Sequence, residues 1–441
     1  MTNPLSRKLG SWETFCKLGH NDYTCSGIVL QSANIKGILN ADLLRRALLL
    51  IQNRHPMLQA TFGPMVGGKS TLEVHRFQSK NSVQKLADLP FVTETRISED
   101  QWLARSEDEM FTDFDGDYLW RGVLLSQPDG TDHDLCFFFH HCVSDGLSNA
   151  YMVRDLLEYY CLLAEGKEPE PAAEPLLPPV DEMLMDTSSD EVPVLEWEQL
   201  EQTAWPIMNY APLEQRRTRL ICQELPREQL EILVGHCRQE GTSINGLLMA
   251  VLLQSMALEW FGDFEHTRHL KGTSAISLRP VCDPPVASKS FGCYAMALET
   301  IYSFHLHTSV WDLARQCKQR LTDQIEQKKA AGFLAPDFTE AQLQEFISSA
   351  FGQVDRSRIH PGGVGLSNLG ALPFDRQIGP FELTSMYFTS AQTTGYYAMT
   401  PNFIGLNGSL FCSFNYCEPL VSKEAARRIA DTFFHKLGTA I

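Results

Sequence analysis

Residues 135–148 read Leu135-Cys136-Phe137-Phe138-Phe139-His140-His141-Cys142-Val143-Ser144-Asp145-Gly146-Leu147-Ser148. Leu135 to Phe139 is a run of bulky β-formers, the pattern of a buried strand. Two histidines end the run and a short polar corner follows. From about Leu147 to Leu163 the spacing turns helical, with Met152, Val153, Leu156, Leu157 and Tyr160 on one face and Arg154, Asp155 and Glu158 on the other. An imidazole exchanges its proton near neutral pH, its ordinary pKa being about 6.5. A carboxylate four residues on, Asp145, can orient the corner, and Gly146 lets the backbone turn without a side chain in the way. A lone buried histidine is more often structural than catalytic, but His-His-x-x-x-Asp-Gly after an apolar strand points to proton transfer. Side chains alternate along a strand, so one ring faces a site and its neighbour points away.

Before this stretch, Trp12 and Phe15 are spaced for a short helix, and Ser26 to Ser32 alternates as a strand. Asn40 opens a helix with Leu43, Leu44, Ala47, Leu48 and Ile51 inward, which Arg54-His55-Pro56 stops. A second strand is expected from Leu58 to Phe62. Gly63 to Ser70 matches the phosphate-loop pattern letter for letter, but that motif needs a helix after it. Thr71 to Phe77 alternates like a strand, so a hairpin turn is the reading. Asp113-Phe-Asp-Gly-Asp117 hints at a calcium loop, yet its glycine comes two places early and Leu124 stands where a bidentate Glu belongs. It is read as a polar turn before a strand, Leu119 to Leu125.

After the stretch, residues 165–193 are rich in proline and acid without periodicity, a linker too long for an ordinary loop. The expected organisation is an N-terminal half over 1–164, a crossover over 165–213 and a C-terminal half over 214–441. In that second half, helices are expected from Pro226, from Thr242 or Ser243, over Trp311 to Lys328 with Leu313, Cys317, Leu321 and Ile325 inward, and from Ser422 to about Leu437. Gly272 to Leu278 reads as a strand ending in Arg279, a charge that needs a partner. Tyr387 to Thr394 and Ser409 to Tyr416 read as further strands.

His-His-x-x-x-Asp-Gly resembles the signature of the condensation-domain acyltransferases, which include nonribosomal condensation domains, alcohol acetyltransferases, polyketide-associated acyltransferases and wax-ester synthases. The order strand, helix, Arg54-His55-Pro56, strand is similar to the family's N-terminal half. Leu278-Arg279-Pro280, Ser290 to Ala295 and Gly362 to Gly370 are similar to stretches of its C-terminal half, although Cys293 replaces a usual polar residue. The resemblance implies an α/β fold of two chloramphenicol-acetyltransferase-like subdomains, each a mixed sheet flanked by helices, in a V-shaped pseudo-dimer. It implies His141 as general base and Asp145 as mainly structural and paired with Arg279, with His140 and Gly146 as support, and it puts Ser367 and Asn368 near the active centre, where either could hold a developing oxyanion or fix a strand. The donor it implies is acyl-CoA or an acyl-phosphopantetheine on a carrier protein, with no bound cofactor, no metal and no covalent enzyme intermediate. The acceptor is an alcohol or amine. O-acylation is favoured on the Leu9-Gly-Ser-Trp12-Glu13 and Ser367-Asn-Leu-Gly370 stretches. Amide formation and a non-catalytic docking module stay as alternatives.

Composition is that of a globular chain: of 441 residues, 44% are hydrophobic and 21% charged. The net charge of -17 disfavours nucleic acid and anionic membrane surfaces as partners. It also requires that any mouth for polyanionic CoA be locally basic. The basic side of the Trp311–Lys328 helix is read as a solvated face or as a landing place for a phosphorylated donor. The 12 cysteines form no C-x-x-C pair and suit small buried hydrophobes in a reducing compartment. No leader-like segment and no run of roughly 18 apolar residues is read. The expectation is a cytosolic monomer of secondary metabolism.

Overall fold

In the computed structural model, which describes residues 5–67, 69–74, 86, 88–114, 118–184, 203–326 and 339–440, the histidine strand is Asp132–His140. It runs inside a sheet, antiparallel to Ile28–Lys36 on one side and to Trp120–Ser126 on the other. Every residue from His133 to His140 is buried. The reason is that both faces are covered. Phe137 and Phe139 pack into a core with Leu48 and Leu156, while Cys136 and Phe138 pack against Met110 and Leu220. A strand covered on both faces reads as a continuous apolar run rather than an alternation. Burying each ring is worth about 1.5–3 kcal/mol.

This first sheet has six strands, in the order Gln377–Ile378, Phe381–Ser390, Ile28–Lys36, Asp132–His140, Trp120–Ser126 and Phe91–Thr95. Two of them come from the far end of the chain: Phe381–Ser390 lies antiparallel to Ile28–Lys36, with Tyr387 opposite Ser32. The second sheet orders Ala295–Phe304, Arg268–Ser277, Val364–Ala371, Met399–Leu406, Ser409–Glu418 and Arg217–Leu225. Its central Val364–Ala371 is parallel to both neighbours, so the sheet is mixed. Helices flank both sheets, and the architecture is the mixed α/β one expected.

Local chemistry explains the helices beside the site. Asn40 accepts from Asp42 and Leu43 N–H and so caps Ala41–Arg54, whose Leu44, Ala47, Leu48 and Ile51 join the first core. Ser243 caps Ile244–Phe261, and Ser422 caps Lys423–Thr439. The strand expected at Leu58 begins later, because Pro56–Gln59 forms a 3-10 turn before Ala60–Val66. The strand expected to run to Thr394 ends at Ser390.

The phosphate-loop lookalike is a hairpin: Ala60–Val66 pairs antiparallel with Lys69–Val74, and Ser70 Oγ donates to Glu340 instead of facing a ligand. Gly68, residues 75–77 and residues 115–117 lie outside the described residues, and with them parts of the strand and polar turn expected there.

Two expectations need correction. Ile244–Phe261 is long and apolar enough to cross a membrane by length and composition, contrary to the reading that no such run exists. It is the central helix of the second core instead, with Leu247 to Leu253 buried around its whole circumference. Ile325, expected inward on the basic helix, is 45% exposed: the buried residues of Val310–Glu326 are Leu313, Ala314 and Cys317, all in its first half. On the same helix Arg315 is engaged by Asp312 and Glu240, and Lys328 and Lys329 lie outside the described residues.

The proline-rich segment is docked where it is described. Glu174 pairs with Arg54 and His55 at 3.2 and 3.3 Å, and Asp181 accepts from Ser11 N–H at 3.0 Å. Residues 185–202 lie outside the described residues.

Candidate active site

The end of the histidine strand separates its two rings. His140 is buried against His20, Phe62 and Phe114, with ring centroids 4.6, 5.2 and 6.0 Å away, and its Nδ1 accepts from Cys142 N–H at 3.2 Å. Burial, aided by the neighbouring His20 and His141, holds its pKa well below the ordinary value. It stays neutral and faces no opening. His141, one residue on, lines a cavity of about 740 Å³, within the size range of small-molecule sites.

The imidazole of His141 is held from behind. Its Nδ1–H donates to the Ser144 carbonyl at 2.9 Å, which fixes the tautomer and leaves Nε2 for the channel. Cys293 Sγ lies 3.6 Å from the same nitrogen. Burial works against the charged ring, but Cys293, the Ser144 carbonyl and Asp145 outweigh it and push the pKa up to about 9. The edge of Trp12 approaches the ring, with centroids 6.4 Å apart, and Trp12 and Phe15 stack as part of the apolar channel wall.

Asp145 does different work. Its Oδ2 accepts from Arg279 Nη1 at 2.7 Å and from Tyr294 N–H at 2.9 Å, while Oδ1 accepts from Ser148 N–H at 2.9 Å and Arg279 Nη2 at 3.1 Å. Burial opposes its charge, but Arg279 and these amides hold its pKa below the ordinary value. With four donors on two oxygens it is a fixed anion. It caps the helix Gly146–Ala164 and ties that helix to the Arg279–Val281 turn beside the second sheet. This is the contact that the resemblance implied. Arg279 Nη2 also donates to Ser148 Oγ at 2.8 Å, and the guanidinium stacks over Tyr294. Gly146 is needed for close approach: a Cβ there would sit 2.8 Å from the Phe388 ring.

Ser367 and Asn368 lie on Val364–Ala371 and line the same channel as His141, Asp145, Gly146 and Arg279. Asn368 Oδ1 accepts from Gly370 N–H at 2.9 Å, so its carbonyl holds the strand end. Of the seven candidate site residues, His140, His141, Asp145, Gly146, Arg279, Ser367 and Asn368, His140 alone sits apart from the channel. Ser144, Ser148 and the Tyr294 amide were missed. The first and last act through backbone atoms, which leave no side-chain signal, and Ser148 looked like an ordinary helix residue.

Among the described residues one group could gather around a cation. His20, Cys25 and Asp113 bring ligand atoms within 4.8 Å of one another. They lie behind His140, and His20 already bonds Asp113 at 2.9 Å.

Comparison with known proteins places both parts of this arrangement. Residues 26–177 match the Condensation domain family, and residues 216–394 match the C-terminal family of phthiocerol/phthiodiolone dimycocerosyl transferases. A beauvericin nonribosomal cyclodepsipeptide synthetase of Gibberella fujikuroi is 28% identical over 151 residues, 34% of this chain and 4% of that protein. One from Beauveria bassiana is 31% identical over 153 residues, again 34% of this chain and 4% of the relative. The matched segments are thus a small part of very long proteins. In fold, the chain is similar to the trichothecene 15-O-acetyltransferase of Fusarium sporotrichioides, with TM-score 0.73 at 13% identity, covering 99% of this chain and 96% of that one. It is also similar to the first condensation domain of the calcium-dependent antibiotic (CDA) synthetase, with TM-score 0.70 at 14% identity, covering 99% and 96%. The His-His-x-x-x-Asp-Gly strand end thus lies in the region similar to condensation domains and its arginine partner in the region similar to the transferase C-terminus, and the fold of the whole chain is the one these acyltransferases and condensation domains share.

Proposed function

We propose that this protein transfers an acyl group from a thioester, acyl-CoA or acyl-phosphopantetheine, to an alcohol, with His141 as general base. Nε2 takes the hydroxyl proton as the oxygen attacks the thioester carbonyl. The C–O bond forms, the C–S bond breaks, and the imidazolium returns the proton to the departing thiolate, so ester and free thiol leave. General-base catalysis contributes roughly 10²–10⁴-fold, and holding both reactants in one channel adds more. Ser367 is suited to donate to the carbonyl oxygen as charge develops. Asp145 and Arg279 hold the site's two sides together and take no proton. In this reading residues 1–164 and 214–441 are the two halves, and 165–213 is the crossover.

The observation that carries the proposal is the anchored ring: Nδ1 is occupied by the Ser144 carbonyl while the ring lines the channel. The alcohol is favoured over an amine on resemblance: the Leu9-Gly-Ser-Trp12-Glu13 and Ser367-Asn-Leu-Gly370 stretches are similar to those of alcohol acyltransferases. The amide-forming reading draws on the match to nonribosomal synthetases over 34% of the chain. A mass-spectrometric screen of purified protein with acyl-CoA and acyl-phosphopantetheine donors against alcohols and amines tests this. Ester products that vanish in His141→Ala are expected. Amides in place of esters would move the protein to the alternative, and products unchanged in His141→Ala would end the general-base role.

A further inference from the structure

The rear edge of His141 carries a group that general-base chemistry does not itself require. Cys293 Sγ stands 3.6 Å from Nδ1, beside the Ser144 carbonyl that accepts from the same nitrogen at 2.9 Å. Cys293 does not face the reactants: it is buried and lines a separate small cavity under residues 174–180, whereas Cys16, in hydrogen-bond contact with it, lines the channel. The sulfur of Cys293 therefore meets the Cys16 thiol and shares Nδ1–H with the Ser144 carbonyl. That is the environment of an anion. The other charges nearby are neutralised in pairs, Asp145 by Arg279 and Glu13 by Arg7, and Lys17 lies on the His140 side. Cys142, the remaining thiol of this cluster, is pushed well up by burial, whereas Cys293 is brought down to about 6 by the Cys16 hydrogen bond, against burial and with help from His141.

We propose that Cys293 is a positioning residue for the base, its sulfur acting as an anion on Nδ1–H that keeps Nε2 turned to the channel and strengthens the ring's hold on a captured proton. It occupies the place that a carboxylate takes behind the histidine of a catalytic triad. The inference rests on His141 being the base, as proposed above.

The sign of the effect is fixed. An anion beside the ring favours imidazolium, so the acid limb of kcat/KM, which reports loss of the ring's proton, lies above the ordinary imidazole value of about 6.5. In Cys293→Ala burial governs instead, and the limb falls by about one pH unit or more. The two profiles then cross: the variant is slower than the parent at alkaline pH, where its base is weaker, and relatively faster at pH 6–7, where more of its base is free. Cys293→Ser keeps an acceptor but no anion, so its limb follows the alanine variant while its KM stays with the parent. A merely structural role would lower all rates together and leave the limb in place.

The experiment is the pH profile of the full chain and both variants, together with the titration of His141 by long-range nitrogen–proton NMR, which needs no turnover. A downward move of both the limb and the ring's titration in Cys293→Ala is expected. A limb and a titration that stay at the parent's pH would overturn the inference. Wild-type transfer by His141→Ala would defeat the catalytic reading alone, and the NMR titration would still decide the role of Cys293.

Discussion

The two faces of one strand end differ more than any sequence distance suggests. On one side His140 is sealed among His20, Phe62 and Phe114, and its proton affinity is suppressed by burial. On the other, one peptide away, His141 opens to a channel, is anchored at Nδ1, and its proton affinity is raised. Identical side chains are thus assigned opposite work by what lies behind them. Proton transfer needs an anchored rear nitrogen and an open front one, and only the second ring has both.

The comparison can be broken in several places. Replacing His141 by Ala is expected to cost roughly 10²–10⁴-fold in transfer rate with the fold intact, measured as product formation alongside circular dichroism. Arg279→Ala leaves Asp145 charged and buried without its main partner, at about 3–5 kcal/mol, read as a lowered midpoint in denaturant. The pH dependence of that pair has a definite sign. Asp145 is held below its ordinary pKa, so the pair's contribution is complete above the unfolded carboxylate range and is lost only as pH falls through the depressed value. Asp145→Asn removes this acid dependence, which a pH series of melting curves detects. On the sealed face, His140→Ala is expected to cost about 1–3 kcal/mol of stability while transfer by the folded protein stays within a few-fold of the parent. Transfer lost to the same extent as in His141→Ala would erase the distinction between the faces. Ser367→Ala is expected to have the smallest effect, a fall in kcat with KM unchanged, of up to about 10²-fold if its hydroxyl meets the oxyanion.

Much of this was legible in the sequence because it is local. The Asn40, Ser243 and Ser422 caps announce their helices, and the alternation after Gly63-Pro64 marks a hairpin where a phosphate loop would need a helix. The central motif also stands in one short stretch, and its Arg279 partner came by resemblance. What escaped is long-range or carried by the backbone. Nothing in Phe381–Ser390 says that it joins a strand 355 positions earlier, since its partner is chosen by the open edge of the first sheet. Ile244–Phe261 could be recognised as buried, but its length and apolarity equal those of a membrane span, and only its packing separates the two. The Ser144 carbonyl has no identity in the sequence as an anchor. Cys293 stood out only as a departure from a pattern, and its closeness to His141 comes from the meeting of two regions 152 residues apart.

The most direct test is chemical rescue. Transfer from an acyl thioester to its alcohol is followed in His141→Ala with increasing free imidazole, beside His140→Ala under the same conditions. Imidazole is expected to restore transfer to the first variant in a saturable way, by filling the vacated place in the channel, and to leave the second unchanged. Undiminished transfer by His141→Ala before any imidazole is added would contradict the assignment of the base to that ring.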